Sequence, residues 1–290
     1  MMSVISYFLR SPLGRSVISG WNWRDADTGQ LKPAGKGRVV LIGAGPGDPE
    51  LLTVKAQRLL QQADVLLFDS LVPAELLAIA PRRCKKVFVG KRAGRHAMSQ
   101  QDINQLLVKY GQQGGLVVRL KGGDPAIFGR VSEEAAALQQ AGIAFAIVPG
   151  VTSACAASAY CGIPLTARGS ATSVQFLTAQ FADPAKQPDW SGYQYRANGS
   201  NPTLVVYMGL NRLQQLCAGL VSVGWPDNTA IALLDQVSTA QQQQLQGTLA
   251  DIDQRLAANP LCGPTLIVIG EVLHQRMTVD LSLLQTTAVA

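Results

Sequence analysis

The chain has 290 residues, 47% of them hydrophobic and 15% charged, which is enough for two modest buried cores and excludes a low-complexity or disordered protein. No apolar run reaches the ~18 residues of a membrane span, and the apolar start Val4 to Leu9 stops at Arg10 without a small-residue cleavage signal, so the expectation is a cytoplasmic protein with no membrane partner. A formal charge of +6 suits an acidic partner, either nucleic acid or a polyanionic small molecule, but the basic residues are scattered instead of forming one aromatic-interleaved stripe.

Residues 1–37 show no sustained period and read as an extension outside the fold, disordered or draped on the surface. From Arg38 the pattern becomes regular. Val39 to Ile42 is a β-branched run, and the apolar positions from Leu51 to Ala63 keep helical spacing with Pro49 suited to a helix start. Val65 to Phe68, Val87 to Val89, Leu116 to Leu120 and Phe145 to Val148 read as further strands, with helices at Ser99 to Tyr110 and Ser132 to Gln140 between them. Strands alternating with helices predict an α/β domain over 38–162, built on a mostly parallel sheet covered on both faces. After Gly162-Ile163-Pro164 the texture changes. Strands are expected at Ser173 to Thr178, Thr203 to Tyr207, Thr229 to Leu234, Gln243 to Leu245 and Thr265 to Ile269, with helices near Asn211 to Val221 and Leu249 to Leu256. Gln180 to Asn201, rich in Pro, Gly, Asp, Asn and Gln, reads as a long surface loop. These elements define a second α/β domain over 163–280, less purely parallel, followed by a tail over 281–290.

Three glycine-bearing turns follow apolar runs: GAGPGDP at 43 to 49, GGDP at 122 to 125 and PGVTSA at 149 to 154. Bare backbone at strand ends lets a flat polar molecule approach main-chain N–H and C=O groups, so the turns predict a binding crevice. They do not make a dinucleotide fingerprint. Asp48 stands where the third glycine of G-x-G-x-x-G belongs, its carboxylate would repel a pyrophosphate, and Pro46 removes an N–H. No G-x-x-x-x-G-K-[ST] is present either. A ligand without phosphates, carrying adenosine, a carboxylate and a positive centre, fits better, and S-adenosylmethionine is such a molecule. Asp124 offers acceptors to a ribose or ammonium, Gly122 and Gly123 offer backbone, and Thr152 and Ser153 offer hydroxyls and helix-start N–H groups. The five cysteines lack C-x-x-C spacing and are expected as buried reduced thiols, Cys155 and Cys161 among them; with only His96 and His274 present, no metal is expected.

The motifs GAGPGDP, LLT at 51 to 53, ADVLLFDSLV at 63 to 72, GKRAGRH at 90 to 96, VRLKGGDP at 118 to 125, FGR at 128 to 130, VPGVTSA at 148 to 154, GIPLT at 162 to 166 and VYMG at 206 to 209 resemble, in the same order, those of the uroporphyrinogen-III C-methyltransferases of the tetrapyrrole methylase superfamily. The resemblance runs from about residue 38 to 273. It implies a homodimer of two α/β domains that binds S-adenosylmethionine in the crevice between them, releases S-adenosylhomocysteine, and methylates uroporphyrinogen III twice, through precorrin-1 to precorrin-2, for sirohaem, cobalamin or haem d1 synthesis. Carried over position by position, it places donor binding at Pro46, Gly122, Gly123, Asp124, Ile127, Thr152, Ser153 and Met208. Asp69 and Lys91 match the proposed proton acceptor and donor. Arg130, counted with them in the catalytic set, also faces the tetrapyrrole together with Glu133 and Arg168. A guanidinium rarely gives up its proton, so Arg130 and Arg168 are assigned to substrate carboxylates.

The chain departs from the family at four places. Val131 and Ser132 replace two glycines of FGRGGEE, Ala167 replaces the histidine of LTHR, Thr178-Ala179-Gln180 stands for T-G-H, and Val237-Ser238 replaces a glycine-threonine pair. Two other readings stay open at this point: a superfamily methyltransferase acting on a later corrin precursor or on RNA, and a non-catalytic protein that keeps the donor crevice.

Overall fold

The computed structural model describes residues 37–90, 98–180, 189–197 and 200–284. The expected N-terminal extension lies outside these residues up to position 36, as do Lys91, His96 and the last part of the tail.

The first lobe is a five-stranded, wholly parallel sheet of β1 (Arg38–Gly43), β2 (Val65–Phe68), β3 (Lys85–Phe88), β4 (Leu116–Lys121) and β5 (Ala144–Val148), in the order β3-β2-β4-β1-β5. Buried on both faces, β1 after Arg38 reads as the apolar run that a covered parallel sheet demands, and β4 is buried along its whole length although it carries Arg119 and Lys121. Helices α1 (Val54–Leu60) and α2 (Ala74–Leu77) cover one face, packing Ala56, Leu60 and Leu76 on Val40, Ile42, Leu66 and Val118. On the other face α3 (Gln100–Gln112) and α4 (Val131–Gln140) pack Ile103, Leu107 and Leu138 against Val39, Leu41, Leu67 and Val117. A full capping box at Ser99 and Asp102 starts α3.

Two expectations shift here. The helix read from Leu51 begins only at Val54, because Thr53 caps it by accepting the Ala56 N–H, while Pro49 starts a separate 3-10 turn, Pro49–Leu51. Cys155 is exposed, since the helix that carries it buries Ala154, Ala157 and Cys161 and turns Cys155 outward; Cys84, Cys161 and Cys217 are buried and Cys262 is exposed.

That helix, α5 (Ser153–Cys161), packs its small residues on the second sheet, against Val205, Ala232, Leu234 and Val268. The second sheet comprises β6 (Val174–Thr178), β7 (Thr203–Tyr207), β8 (Ala230–Asp235), β9 (Gln243–Thr248) and β10 (Thr265–Ile269), in the order β6-β7-β10-β8-β9. Only β6 and β7 run parallel; the other pairs are antiparallel. Helices α6 (Leu213–Ser222) and α7 (Ile252–Ala258) close its far face through Leu216, Leu220 and Ile252. The expected surface loop between β6 and β7 is not all surface: Trp190–Tyr193 forms a 3-10 turn, and the Trp190 ring fills the space over Gly219, where a Cβ would clash with it.

The chain leaves β1 toward β2 and leaves β4 toward β5, in opposite directions and over opposite faces, although β1 and β4 are neighbours. This is the switch point at which open α/β sheets form a ligand crevice beyond the carboxyl ends of their strands. The glycine turns converge there. A Cβ on Gly43 would lie 2.6 Å from the Gly123 carbonyl oxygen and 2.6 Å from the Gly150 Cα, and one on Gly150 would lie 2.8 Å from the Gly43 Cα. Overpacking of this kind costs about 1–3 kcal/mol. Gly43→Ala is therefore expected to lower unfolding stability by about that much, whereas Gly192→Ala, where nothing lies within 4 Å of the new methyl, should stay within about 0.5 kcal/mol. Denaturant titration of both variants checks the pair.

Candidate active site between the lobes

Beyond the strand ends, the turns are sewn together by backbone and by one carboxylate. Gly45 and Gly123 exchange hydrogen bonds, at 3.2 Å from the Gly45 N–H and 2.7 Å from the Gly123 N–H, and the Ala44 N–H donates to the Lys121 carbonyl at 2.7 Å. Asp124 accepts the Gly150 N–H at 3.0 Å on Oδ2 and the Ala126 N–H at 2.8 Å on Oδ1. The residue expected to meet a ribose or ammonium thus already clips GGDP to the third turn, and only its remaining lone pairs face outward.

Thr152 is similarly engaged. Its hydroxyl lies 2.6 Å from the Tyr207 hydroxyl instead of capping α5, and Tyr207 also accepts the Ala154 N–H at 3.3 Å. Burial pushes the Tyr207 phenol up, against those two bonds, so it remains an uncharged hydrogen-bonding group. Its ring meets Phe128 at 5.1 Å from the first lobe and Phe176 at 5.9 Å from the second, making an aromatic wall across the crevice. Ser153 differs: its Oγ faces Gly123, and no hydrogen bond of its hydroxyl occurs among the described residues. Beside Tyr207, Met208 is 48% exposed at φ 56°.

All five non-glycine residues with positive φ among the described residues, Phe128, Arg130, Met208, Gln236 and Ser238, lie in loops at the sheet ends. Such conformations cost roughly 1–3 kcal/mol each and persist where the surroundings over-determine them, which is common at binding sites. Pro46 and Ile127 are half-buried in the same turns.

Asp69 follows β2, next but one to β1 in the sheet. Its Oδ1 accepts the Leu71 N–H at 3.1 Å, its Oδ2 accepts Arg119 Nη2 at 3.1 Å, and a Cβ on Gly122 would lie 2.7 Å from the Leu71 Cβ, which sets the Asp69 loop directly against GGDP. Arg130 and Glu133 hold each other in a fork of 2.7 and 2.8 Å, both half-exposed. Arg168 is exposed at the tip of the 167–171 turn, and no hydrogen bond or ion pair among the described residues joins it to the other candidates. Lys91 lies outside the described residues.

Several site residues escape sequence reasoning. Arg119 and Lys121 look like two more dispersed cations, yet both are buried with Glu134 behind Asp69; the available signal is two charges inside the otherwise apolar strand LVVRLK. Tyr207 adjoins the expected Met208, and its signal is the VYMG motif itself. Asp48 is not merely a residue unfit for pyrophosphate. It accepts the Tyr160 hydroxyl at 2.5 Å, its N–H donates to Ser238 Oγ at 3.1 Å, the Ser238 N–H donates to Gln242 Oε1 at 2.8 Å, and Gln242 Nε2 donates to the Tyr160 carbonyl at 3.3 Å. This ring ties the first turn to the second sheet.

Two α/β lobes, a glycine junction at a switch point and an aromatic wall between them define a crevice protein built for a small planar or nucleoside-like ligand. The chain belongs to the Tetrapyrrole (Corrin/Porphyrin) Methylases, whose family profile matches residues 38–253. It is 48% identical over 255 residues to the siroheme synthase of a Psychrobacter species, covering 87% of this chain and 52% of that one. The chain thus spans about half the length of the curated relatives it matches. Among solved structures it resembles uroporphyrin-III C-methyl transferase of Thermus thermophilus complexed with S-adenyl homocysteine, with TM-score 0.71 and 37% identity over 82% of this chain and 100% of that one. A cobalt precorrin-4 methyltransferase of cobalamin biosynthesis matches with TM-score 0.71 and 27% identity over 84% of this chain and 99% of that one.

The Tyr160 phenol is pushed from 10.0 up to about 12, by burial first and then by its bond to Asp48. A folded value above the unfolded one means that its contribution is whole below about pH 10 and is lost as pH rises toward about 12. Tyr160→Phe should therefore lose less stability than the unaltered protein across that window in denaturant titrations at stepped pH; parallel curves would remove the assignment.

Proposed function

We propose that the chain is an S-adenosylmethionine-dependent C-methyltransferase that methylates uroporphyrinogen III twice, through precorrin-1 to precorrin-2, in tetrapyrrole synthesis of the sirohaem type. The observation that carries this reading is the bare-backbone junction of Gly43, Gly45, Gly122 and Gly123 at the switch point, with Asp69 set against it through Leu71. The relatives named for siroheme synthesis and for uroporphyrin-III methyl transfer support the substrate, and the S-adenosyl homocysteine held by the latter supports the donor.

The residues fit that donor. Gly123 leaves a cradle that a side chain would fill, Ser153 faces it with a hydroxyl that makes no hydrogen bond among the described residues, Gly122 keeps the backbone bare beside Leu71, and Pro46, Ile127, Thr152 and Met208 border the same turns. When bound, the donor supplies a methyl group already activated by its sulfonium, so the proposed chemistry asks for no metal. The chain's task is to align a pyrrole carbon and to take up the proton that the carbon loses. Alignment contributes about 7–11 kcal/mol when geometry is near-attack, and a placed base about 10² to 10⁴ in rate. Positioning dominates. In this reading Asp69 accepts the proton, Lys91 returns one, and Arg130, Glu133 and Arg168 face the acid side chains of the macrocycle. The proposed enzyme is a cytoplasmic homodimer, divided near residue 162 and without nucleic-acid or membrane partners.

Anaerobic incubation with uroporphyrinogen III and the donor should add two methyl groups by mass spectrometry; donor binding without product would favour a non-catalytic binder, and methylation only of a later corrin precursor or of RNA would favour the other rival. Asp69→Asn is expected to slow turnover about 10²- to 10⁴-fold while calorimetry shows S-adenosylhomocysteine binding unchanged. Arg168→Lys should weaken uroporphyrinogen binding far more than donor binding, and equal losses would argue against its role.

A further inference from the structure

Behind Asp69 lies a chain of four charges that the proposed chemistry does not yet use. Arg119 Nη2 reaches Asp69 Oδ2 at 3.1 Å, Arg119 Nε reaches Glu134 Oε1 at 3.3 Å, and Lys121 Nζ reaches the same Glu134 oxygen at 2.8 Å. Arg119 and Lys121 are two apart on β4 and so share a face of the sheet. Glu134 descends on them from α4, and Gln100 of α3 adds a neutral hydrogen bond to Glu134 Oε1 at 3.3 Å. Arg119, Lys121 and Glu134 are 4%, 5% and 0% exposed, so Asp69 is the one member that reaches the crevice.

Such a network is a poor way to gain stability. Replacing buried ion pairs by apolar residues of like volume is often neutral or stabilising, because desolvation offsets the attraction. Glu134 carries the additional cost of an Oε2 with no hydrogen-bond partner among the described residues. Arg119 is also immobile: besides Asp69 and Glu134 it donates from Nη1 to the Leu120 carbonyl at 2.8 Å, so it has no freedom to swing toward a substrate carboxylate.

We infer that Glu134, acting through Arg119, holds Asp69 in orientation and sets its proton affinity, with Lys121 as the counter-charge that makes the quartet neutral. The inference rests on the reading of Asp69 as proton acceptor. A lone arginine against Asp69 would stabilise the carboxylate and weaken it as a base; Glu134 draws part of that positive charge away, and Lys121 limits how much. Burial, with Arg119 adding to it and Glu134 opposing, pushes the Lys121 ammonium down from its ordinary value. The other charged groups near the quartet, Arg130 and Glu133, pair with each other and leave little net field; Lys91 lies outside the described residues. Arg119, Glu134 and Lys121 are thus positioning residues, not groups that touch substrate.

The test is the pH dependence of single-turnover methylation of uroporphyrinogen III, with S-adenosylhomocysteine binding measured alongside as the control for folding. Glu134→Gln removes a negative charge and leaves Asp69 alone to face Arg119, so the acidic limb should move down by about one pH unit, with the plateau rate about tenfold lower. Lys121→Met removes a positive charge and should move the limb up. Because that variant leaves Glu134 without its closest partner, the double variant Glu134→Gln/Lys121→Met serves as a second arm and should return the limb near its original place. Limbs that stay fixed in all three variants, while Asp69→Asn slows turnover about 10²- to 10⁴-fold, would overturn the relay and leave Asp69 as the base. Full turnover in Asp69→Asn would overturn the reading of Asp69 and the relay with it.

Discussion

The structure depends on three backbones meeting so closely that no Cβ fits at Gly43 or at Gly150. Gly43 ends β1, Gly123 follows β4 and Gly150 follows β5; a Cβ on Gly43 or on Gly150 would run into the other two backbones, whereas Gly123, at φ 65°, leaves open space on its own side. The sheet order dictates this meeting, since β1 lies between β4 and β5 and all three run in parallel, so that their carboxyl ends open onto one edge. Asp124 then locks the junction with two backbone donors on two different turns. A carboxylate accepting N–H groups is among the stronger hydrogen-bonding arrangements, and here it fixes main chain that has no side chains to hold it. Gly123 is left facing open space beside Ser153, while Gly122 packs against Leu71.

From that junction two separate connections reach the second sheet. One is apolar at its centre, the Phe128–Tyr207–Phe176 wall with Thr152 bonded to the Tyr207 hydroxyl. The other is the polar ring of Asp48, Tyr160, Ser238 and Gln242. Both pass through α5 or its cap, and α5 itself packs on the second sheet. The lobes are therefore joined at the two turns that border the crevice, and a change in either connection bears on the site before it bears on either core.

Much of this is legible in the sequence, and the remainder hides for identifiable reasons. The strands Val65–Phe68, Thr203–Tyr207 and Thr265–Ile269 stand where the apolar runs place them, because a buried strand needs nothing beyond apolar length and turn signals at its ends. Only the start of α5 is legible, from Thr152-Ser153: SACAASAYC has no apolar stripe, and its small residues serve close packing on a sheet that lies far along the chain. Trp190 reads as part of a polar loop because its partner, Gly219, is in another element. Arg119 and Lys121 read as two more scattered cations for the same reason. Their burial depends on Glu134, and no local period reveals that Glu134 faces inward while Glu133, one residue earlier, faces out to Arg130.

The same contrast separates the arginines by task. Arg119 is held by two carboxylates and a carbonyl in a dry setting, so exchanging any of them for a substrate group would strand a buried charge. Arg130 is held by one half-exposed carboxylate, and an exposed pair is worth only about 0–1 kcal/mol. An enclosed charged hydrogen bond is worth about 1.5–3 kcal/mol, so in the proposed role of Arg130 a substrate carboxylate enclosed with it would outcompete Glu133. What keeps Arg130 aimed is its left-handed backbone, φ 58°, at the residue before α4. Val131, where the family pattern has glycine, is the first residue of that helix and packs against the α3–α4 core. A β-branched residue there removes the freedom a glycine would have and anchors the helix start. The departure from the glycine pattern thus stiffens the base from which Arg130 projects and fixes its direction.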